Sequence, residues 1–492
     1  ITKIRLLGVG VLVLLTLIFA SLIFLDIIKV GTPLKANIID SIVILPFDNF
    51  TGDEDLEDLF SGMQSMLISD MQRLSNLRIP CWTSSNAYKD ANMTVTQIAS
   101  NLDTKAAIEM GIFSFGDSIG MQCKLISTVP EEKQIWDKVY KVAKSEIYNL
   151  NNQVTKDIAE EVKVKLTPQE ENLLAESRIV DPEAMDAYAM GQHFLEQASN
   201  ESLEKASEFF NIAIKNDSSW AAPYAGVALV WVFKQQLTSV PPSVATPIIK
   251  ENFEKALALD PNSANSHYVN ALIAVWTDWD WEKGEKEFLR SLDLNPNDAL
   301  CRVYYAHFLM IMKRKEEAIK QANMTLKLDP MRPLVLALYS TVMRVYSDYE
   351  SAITQLEKAL SIEPEHPLAK NSLRVAYRHT GNYEKWFELW KNGVRLDQES
   401  IASVEKAFRE QGYMAAVEEM IKIGENGGRI GGLSGLYIQL ENYEKAMDYF
   451  EQAYEEHSPG MPYLSIFNIK KEDLSDNARY IELMKKMNLP LE

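Results

Sequence analysis

The chain has 492 residues, 47% apolar and 24% charged, ordinary globular material with length for about three folding units. Its 21 Gly, 19 Pro and 3 Cys exclude collagen-like, low-complexity and disulfide-scaffold classes. With 69 carboxylates against 50 Lys and Arg the formal charge is −19, a surface that repels phosphate backbones, so no nucleic-acid partner is expected.

The first residue is Ile1, which suggests a processed chain or a segment of a longer one. Leu6 to Leu25 carry no charge, and twenty residues at about 1.5 Å each match the hydrocarbon thickness of a bilayer. The run is too long for the apolar region of a signal peptide, and no small-residue cleavage site follows it. Residues 1–30 are therefore expected to be a single-pass membrane anchor. Lys3 and Arg5 precede the span, and Lys29 and Lys35 follow it at a greater distance. That balance favours an inside N-terminus only slightly, and it would put everything from Val30 onward outside the cytoplasm. Cys81, Cys123 and Cys301 are too far apart to suggest a disulfide framework or a zinc site.

After Pro33 short β-like runs begin. Ser41 to Phe47 reads as a continuous apolar strand, and Asp48 to Asp53 as a turn-rich loop. Asp58 to Leu77 has apolar residues at helical spacing, and Ile98 to Leu102 belongs to a second helix. Ala106 to Phe115 and Met121 to Val129 read as strands paired about Gly116-Asp117, with a further strand at Ile135 to Val142. The acidic residues Asp53, Glu54, Asp55, Glu57 and Asp58 lack the glycine and terminal glutamate of a calcium loop, and suit a helix N-terminus.

Ser41-Ile-Val-Ile-Leu-Pro-Phe-Asp-Asn-Phe-Thr-Gly-Asp53 resembles the opening of the TolB amino-terminal-like (FlgO-like) domain. Ser61-Gly-Met63, Thr83-Ser-Ser-Asn-Ala-Tyr-Lys89, Gln122-Cys-Lys-Leu-Ile126 and Ile135-Trp-Asp-Lys-Val-Tyr140 extend the resemblance in order over about 38–165. It implies a small α/β domain with a mixed sheet at 31–165, extracytoplasmic and used for recognition. A charged helical linker at 166–184 begins a new helix at Thr167-Pro168.

Beyond it the chain repeats. Leu259-Asp-Pro261, Leu294-Asn-Pro296, Leu328-Asp-Pro330 and Ile362-Glu-Pro364 end successive helices about 34 residues apart, and Leu396-Asp-Gln398 keeps the register. One unit is longer, and Ser239 to Pro247 reads as a stiff proline-rich loop inserted there. Ala206, Phe210 and Ala213, and again Ala446, Phe450 and Ala453, sit in a small–aromatic–small pattern that lets paired helices approach closely. Trp386 and Trp390 replace it in the sixth unit. These features resemble tetratricopeptide repeats, which implies an all-α superhelix of seven or eight units over 185–460, capped by 461–492.

Trp276-Thr-Asp-Trp-Asp-Trp-Glu282 and the segments Ala453 to Pro459, Leu474 to Tyr480 and Met487 to Pro490 resemble a longer family. In it a transmembrane helix, a TolB-like domain and a repeat array follow a winged-helix transcription-activator or class III nucleotide cyclase domain. The resemblance implies the sensory half of a transmembrane regulator. A stand-alone envelope scaffold and the receptor portion of a class III adenylate cyclase are the alternatives.

No phosphate loop, H-E-x-x-H or G-x-S-x-G motif occurs, and the six histidines lack metal-ligand spacing. Gly424 to Gly435 reads as an inter-helix loop, because no strand precedes it. Neither catalysis nor a cofactor is expected. Counting from the proline register, the inner face of the first helices carries Trp276, His307, Arg344, Asn371, Arg378 and His379. Arg and Asn from neighbouring units suit the carboxylate of a protein or peptide partner. Such an array is also compatible with homo- or hetero-oligomers.

Overall fold

The computed structural model describes residues 39–491, except 55–56, 116–117, 144–149, 164–165, 169, 172–179, 198, 238–239, 395, 428–431, 467–473 and 475–476. The expected membrane segment 6–25, the Gly116-Asp117 turn and most of the second linker helix lie outside the described residues. Among the described residues no helix is long and apolar enough to cross a membrane. Asp40–Glu492 form one compact unit.

This unit starts with a mixed sheet of β1 (Ile42–Ile44), β2 (Asp48–Phe50), β3 (Ala106–Phe115), β4 (Ser118–Ser127) and β5 (Lys133–Ala143). The strand order is β1-β3-β4-β5, and β2 continues along β3 beyond β1. β1 and β2 run parallel to β3, while β3–β4 and β4–β5 are antiparallel. The run Ser41 to Phe47 is thus shorter than its apolar pattern suggests. Leu45 N still donates to Ile108 O, but Pro46 has no N–H, and the ladder resumes only at Asp48. The turn follows β2: Asn49 Oδ1 accepts from Thr51 N at 3.0 Å, and Gly52 takes φ +80°.

α1 (Glu57–Gln72), α2 (Trp82–Asn86) and α3 (Val95–Asn101) lie between β2 and β3 in the chain, and α4 (Leu150–Glu161) follows β5. Thr94 and Gln97 start α3 with reciprocal capping bonds. β1 is buried, and Val43, Leu45 and Ala107 cluster with Ile98 and Ala99 of α3 and with Leu102 just after it.

Among the described residues eight helix pairs come next: α5 (Pro182–Gln197) with α6 (Asn200–Asn216), α7 (Ala221–Leu237) with α8 (Pro242–Leu259), α9 (Ala264–Ile273) with α10 (Trp281–Leu294), and α11 (Ala299–Ile311) with α12 (Lys315–Leu328). α13 (Pro333–Val345) pairs with α14 (Tyr349–Ile362), α15 (Pro367–His379) with α16 (Tyr383–Gly393), α17 (Gln398–Gln411) with α18 (Tyr413–Glu425), and α19 (Leu433–Gln439) with α20 (Tyr443–Glu455). A 3₁₀ turn at Met461–Ile466 and α21 (Ala478–Lys486) end the chain.

The repeat length has a backbone counterpart. Trp279, Lys313, Ser347 and Gly381, successive residues 34 apart, all take φ between 55° and 73°. Each is a left-handed residue that turns the chain from the first helix of a pair into the second. The next residue then caps the second helix: Asp280, Asp348 and Asn382 accept from the backbone N–H three residues on. Within a pair the small–aromatic–small pattern works by close approach. Ala206, Phe210 and Ala213 are fully buried, and a Cβ on Gly191 or Gly226 would come within 2.7 Å of the Phe210 ring.

The proline-rich insertion differs from its expected form. Pro242 lies in the first turn of α8, where no N–H is needed, and Pro247 is accommodated inside that helix. Pro242 to Pro247 thus belong to α8, which is 18 residues long, while Ser239 lies outside the described residues.

Two long-range contacts close the unit. The α/β part docks on the proline-register turns: Asn297 Nδ2 donates to the carbonyls of Gln72, Leu74 and Leu77, and Asp329 accepts from Thr83 and Ser84. α1 stops at Gln72 rather than reaching Leu77, and its last carbonyl, Gln72 O, accepts from this repeat side chain. The C-terminal segment returns to the third and fourth pairs. Trp281 Nε1 donates to Met487 O at 2.7 Å, Ser465 Oγ to Ile311 O at 2.8 Å, and Trp279 stacks on Tyr454 and His457. The tryptophan-rich turn is therefore a landing site for the chain's own end. The result is a mostly helical, tetratricopeptide-like superhelix carrying a small N-terminal mixed-sheet part.

Candidate functional site

The first helices α13 and α15 each turn one face toward a cavity of about 1310 Å³. α13 contributes Leu338, Thr341 and Arg344, and α15 contributes Asn371, Arg374 and Arg378, spaced three and four residues apart and so on one face. Trp386, Leu389 and Trp390 of α16 and Leu436 and Ile438 of α19 line it as well. Tyr463 and Ile466 of the C-terminal 3₁₀ turn complete the wall, so the returning chain end bounds this space.

Five of the six groove residues expected from sequence, His307, Arg344, Asn371, Arg378 and His379, line this cavity. Trp276 stands behind it. Its ring packs edge-on against Tyr304 at 5.6 Å and Phe288 at 6.3 Å, and touches Tyr463, which makes it a support for the wall. His307 is also committed to structure. Leu338 O can only accept, so His307 Nε2 donates to it at 2.9 Å, leaving Nδ1 to accept from the Tyr463 hydroxyl at 2.8 Å. Burial, with Arg344 nearby, holds its pKa down to about 4.

The arginines differ from the many surface cations that sit beside carboxylates. Arg344 forms no ion pair among the described residues, and its Nε is buried without a hydrogen-bond partner. Burial and then the Arg378 charge depress its pKa to about 10. Arg374 donates to Asn371 Oδ1 at 2.8 Å, and its pKa is lowered by burial and by Arg378. Arg378 donates to His379 Nε2 at 2.7 Å, which makes that nitrogen the acceptor of a neutral ring. His379 is pushed down to about 4 by burial, Arg378 and Arg344, and it stacks on Tyr349. The acidic residue in the lining is Glu365, and it pairs with Lys370 at 2.7 Å. Three guanidiniums thus line one cavity, and among the described residues none of them forms an ion pair with a carboxylate.

Arg374 escaped the sequence reading. Its signal was present in the Asn371, Arg374, Arg378 stripe, which a helical count on α15 puts on one face. Tyr463 had no such signal, because it reaches the site from 156 residues beyond His307.

The class defined by this architecture is a helical-repeat fold with a mixed-sheet appendage. The family model described as Tetratricopeptide repeat matches residues 431–456. A Rhizobium meliloti (strain 1021) protein named "Putative adenylate cyclase 3" is 25% identical over 238 residues, 48% of this chain, and the match spans 40% of that protein's length. Among solved structures, YrrB, described as a TPR protein with an unusual peptide-binding site, is 25% identical with a TM-score of 0.24, covering 38% of this chain and 91% of that one. Pseudomonas aeruginosa pilF is 17% identical with a TM-score of 0.31, covering 55% and 98%.

Proposed function

We propose that this chain is a non-catalytic binding scaffold, the extracytoplasmic sensory or interaction part of a single-pass transmembrane regulator. Residues 6–25 anchor it, the 31–165 part is a TolB-like recognition domain, and the linker at 166–184 leads into the repeats. The repeat cavity holds a carboxylate of a protein or peptide partner against Arg344 and Arg378, with Asn371 beside them. The observation that carries this reading is Arg344, a guanidinium whose buried Nε has no hydrogen-bond partner among the described residues, in a chain of net charge −19. Leaving such a group unneutralised is costly to folding, and a binding role supplies the missing charge. The test is a pool of short peptides with free carboxy termini, offered to the full chain in detergent beside the same pool amidated. Selective retention of free-acid peptides supports the reading, and equal retention of both pools overturns it.

The name of the Rhizobium relative favours a second reading, the receptor portion of a class III adenylate cyclase whose catalytic domain would precede residue 1. The sequence upstream of Ile1 in the encoding gene separates the two. A cyclase domain there supports the second, a winged-helix domain supports the first, and a start codon directly before Ile1 favours a stand-alone envelope scaffold.

A further inference from the structure

We infer that the cavity binds a phosphate monoester: the doubly charged phosphate at Arg344, Arg374 and Arg378, and an organic body against Leu389, Val394 and Ile438. This rests on the reading of the cavity as a binding site, and it names a ligand class for it. One carboxylate would neutralise one of three crowded guanidiniums. A dianion with three terminal oxygens can accept a fork of donors from each guanidinium, the geometry in which guanidinium outperforms ammonium. The crowding is visible in the side chains themselves, since the Arg378 charge depresses both Arg344 and Arg374. His379 adds no charge to it: its Nε2 accepts from Arg378, so it stands in the cavity wall as a neutral ring.

The overall charge of −19 does not oppose such a ligand. Glu365, the acidic residue in the lining, is already paired with Lys370, so the local field is positive while the outer surface is not. That contrast favours a small phosphate that can enter the cavity over a nucleic-acid backbone held against the acidic exterior. A volume of about 1310 Å³ exceeds the needs of a bare phosphate, and the lining includes apolar side chains besides the arginines, Leu389, Val394, Leu436 and Ile438 among them. Both features ask for an organic substituent on the phosphate.

The experiment titrates the full chain in detergent with phenyl phosphate, a dianion at pH 8, and with methyl phenyl phosphate, a diester carrying one charge. Binding of the monoester at least tenfold tighter than of the diester is expected, with a tenfold or greater loss in Arg374→Gln. Equal binding of the two esters overturns the inference and points to a singly charged group such as a phosphodiester headgroup. Undiminished binding in Arg374→Gln, with the fold intact by circular dichroism, also overturns it. If neither ester binds while free-acid peptides still do, the phosphate inference fails and the proposed function stands. If neither esters nor peptides bind, both fail.

Discussion

Ser84 Oγ donates to Asp329 Oδ1 at 2.7 Å, joining a short helix of the α/β part to a repeat turn 245 residues away. Both residues are fully buried, and Thr83 adds its hydroxyl to the same carboxylate. One turn upstream, Asn297 does the equivalent with its amide, donating to three carbonyls at the end of α1. Consecutive repeats therefore hold the sheet part through equivalent turns, and the Thr83-Ser-Ser string is part of that joint. Asn297→Ala removes the buried amide donor shared by these carbonyls, of which Leu74 O keeps the Leu77 N–H, and is expected to cost about 1–3 kcal/mol. Amide hydrogen exchange should accelerate over residues 73–86 and remain unchanged over 398–425. Unchanged protection at 73–86 would contradict a load-carrying role for this contact.

Arg344 offers a test in which function and stability move oppositely. Removing a buried charge that pairs with no carboxylate among the described residues should stabilise the chain, so Arg344→Met is expected to gain about 1–3 kcal/mol and melt higher. The same variant should lose anion binding. A lower melting temperature would show that Arg344 is a structural brace rather than a binding group.

The contact between His307 and Tyr463 is expected to weaken in acid. His307 titrates near 4 in the folded chain, against about 6.5 when unfolded. Between those values the unfolded state binds the extra proton, so stability falls as pH falls through 6.5 toward 4. The slope from this one residue approaches about 1.4 kcal/mol per pH unit, and above pH 6.5 its contribution is fully present. Thermal melts of wild type and His307→Gln from pH 7.5 to 4.5 check it. The variant should start lower and show a shallower acid slope.

Gly381 holds φ +73° at the left-handed turn of its repeat, with open space around it. Gly381→Val is expected to cost about 1–2 kcal/mol through backbone strain alone. Gly191→Val reaches a similar loss by another route, because the new side chain meets the Phe210 ring. Denaturant melts of the two variants, with Gly393→Val as a control at negative φ, separate the causes.

The repeat signal was readable because it is local. Pro261, Pro296, Pro330 and Pro364 mark helix ends within one unit, and Ala206, Phe210 and Ala213 show their packing through helical spacing alone. The strands were readable by the same logic, except where Pro46 divides one apolar run into β1 and the approach to β2. What stayed hidden is non-local. Trp281 gives no sign that its indole N–H meets Met487 O across 206 residues, and Asn297 gives none that it caps α1. For the site, the inner-face count brought five residues to one cavity but included Trp276, which supports the wall from behind. It also passed over Arg374, whose place in the helical stripe on α15 was there to be counted.

The central claim is that Arg344 and Arg378 hold the acidic group of a partner in the repeat cavity. Its most direct test is a calorimetric titration of the full chain, wild type beside Arg344→Ala plus Arg378→Ala, with a free-acid peptide selected on the wild type. The account predicts binding to the wild type and a loss of at least a hundredfold in the double variant, with helical content unchanged. Peptide binding that survives both substitutions would contradict it.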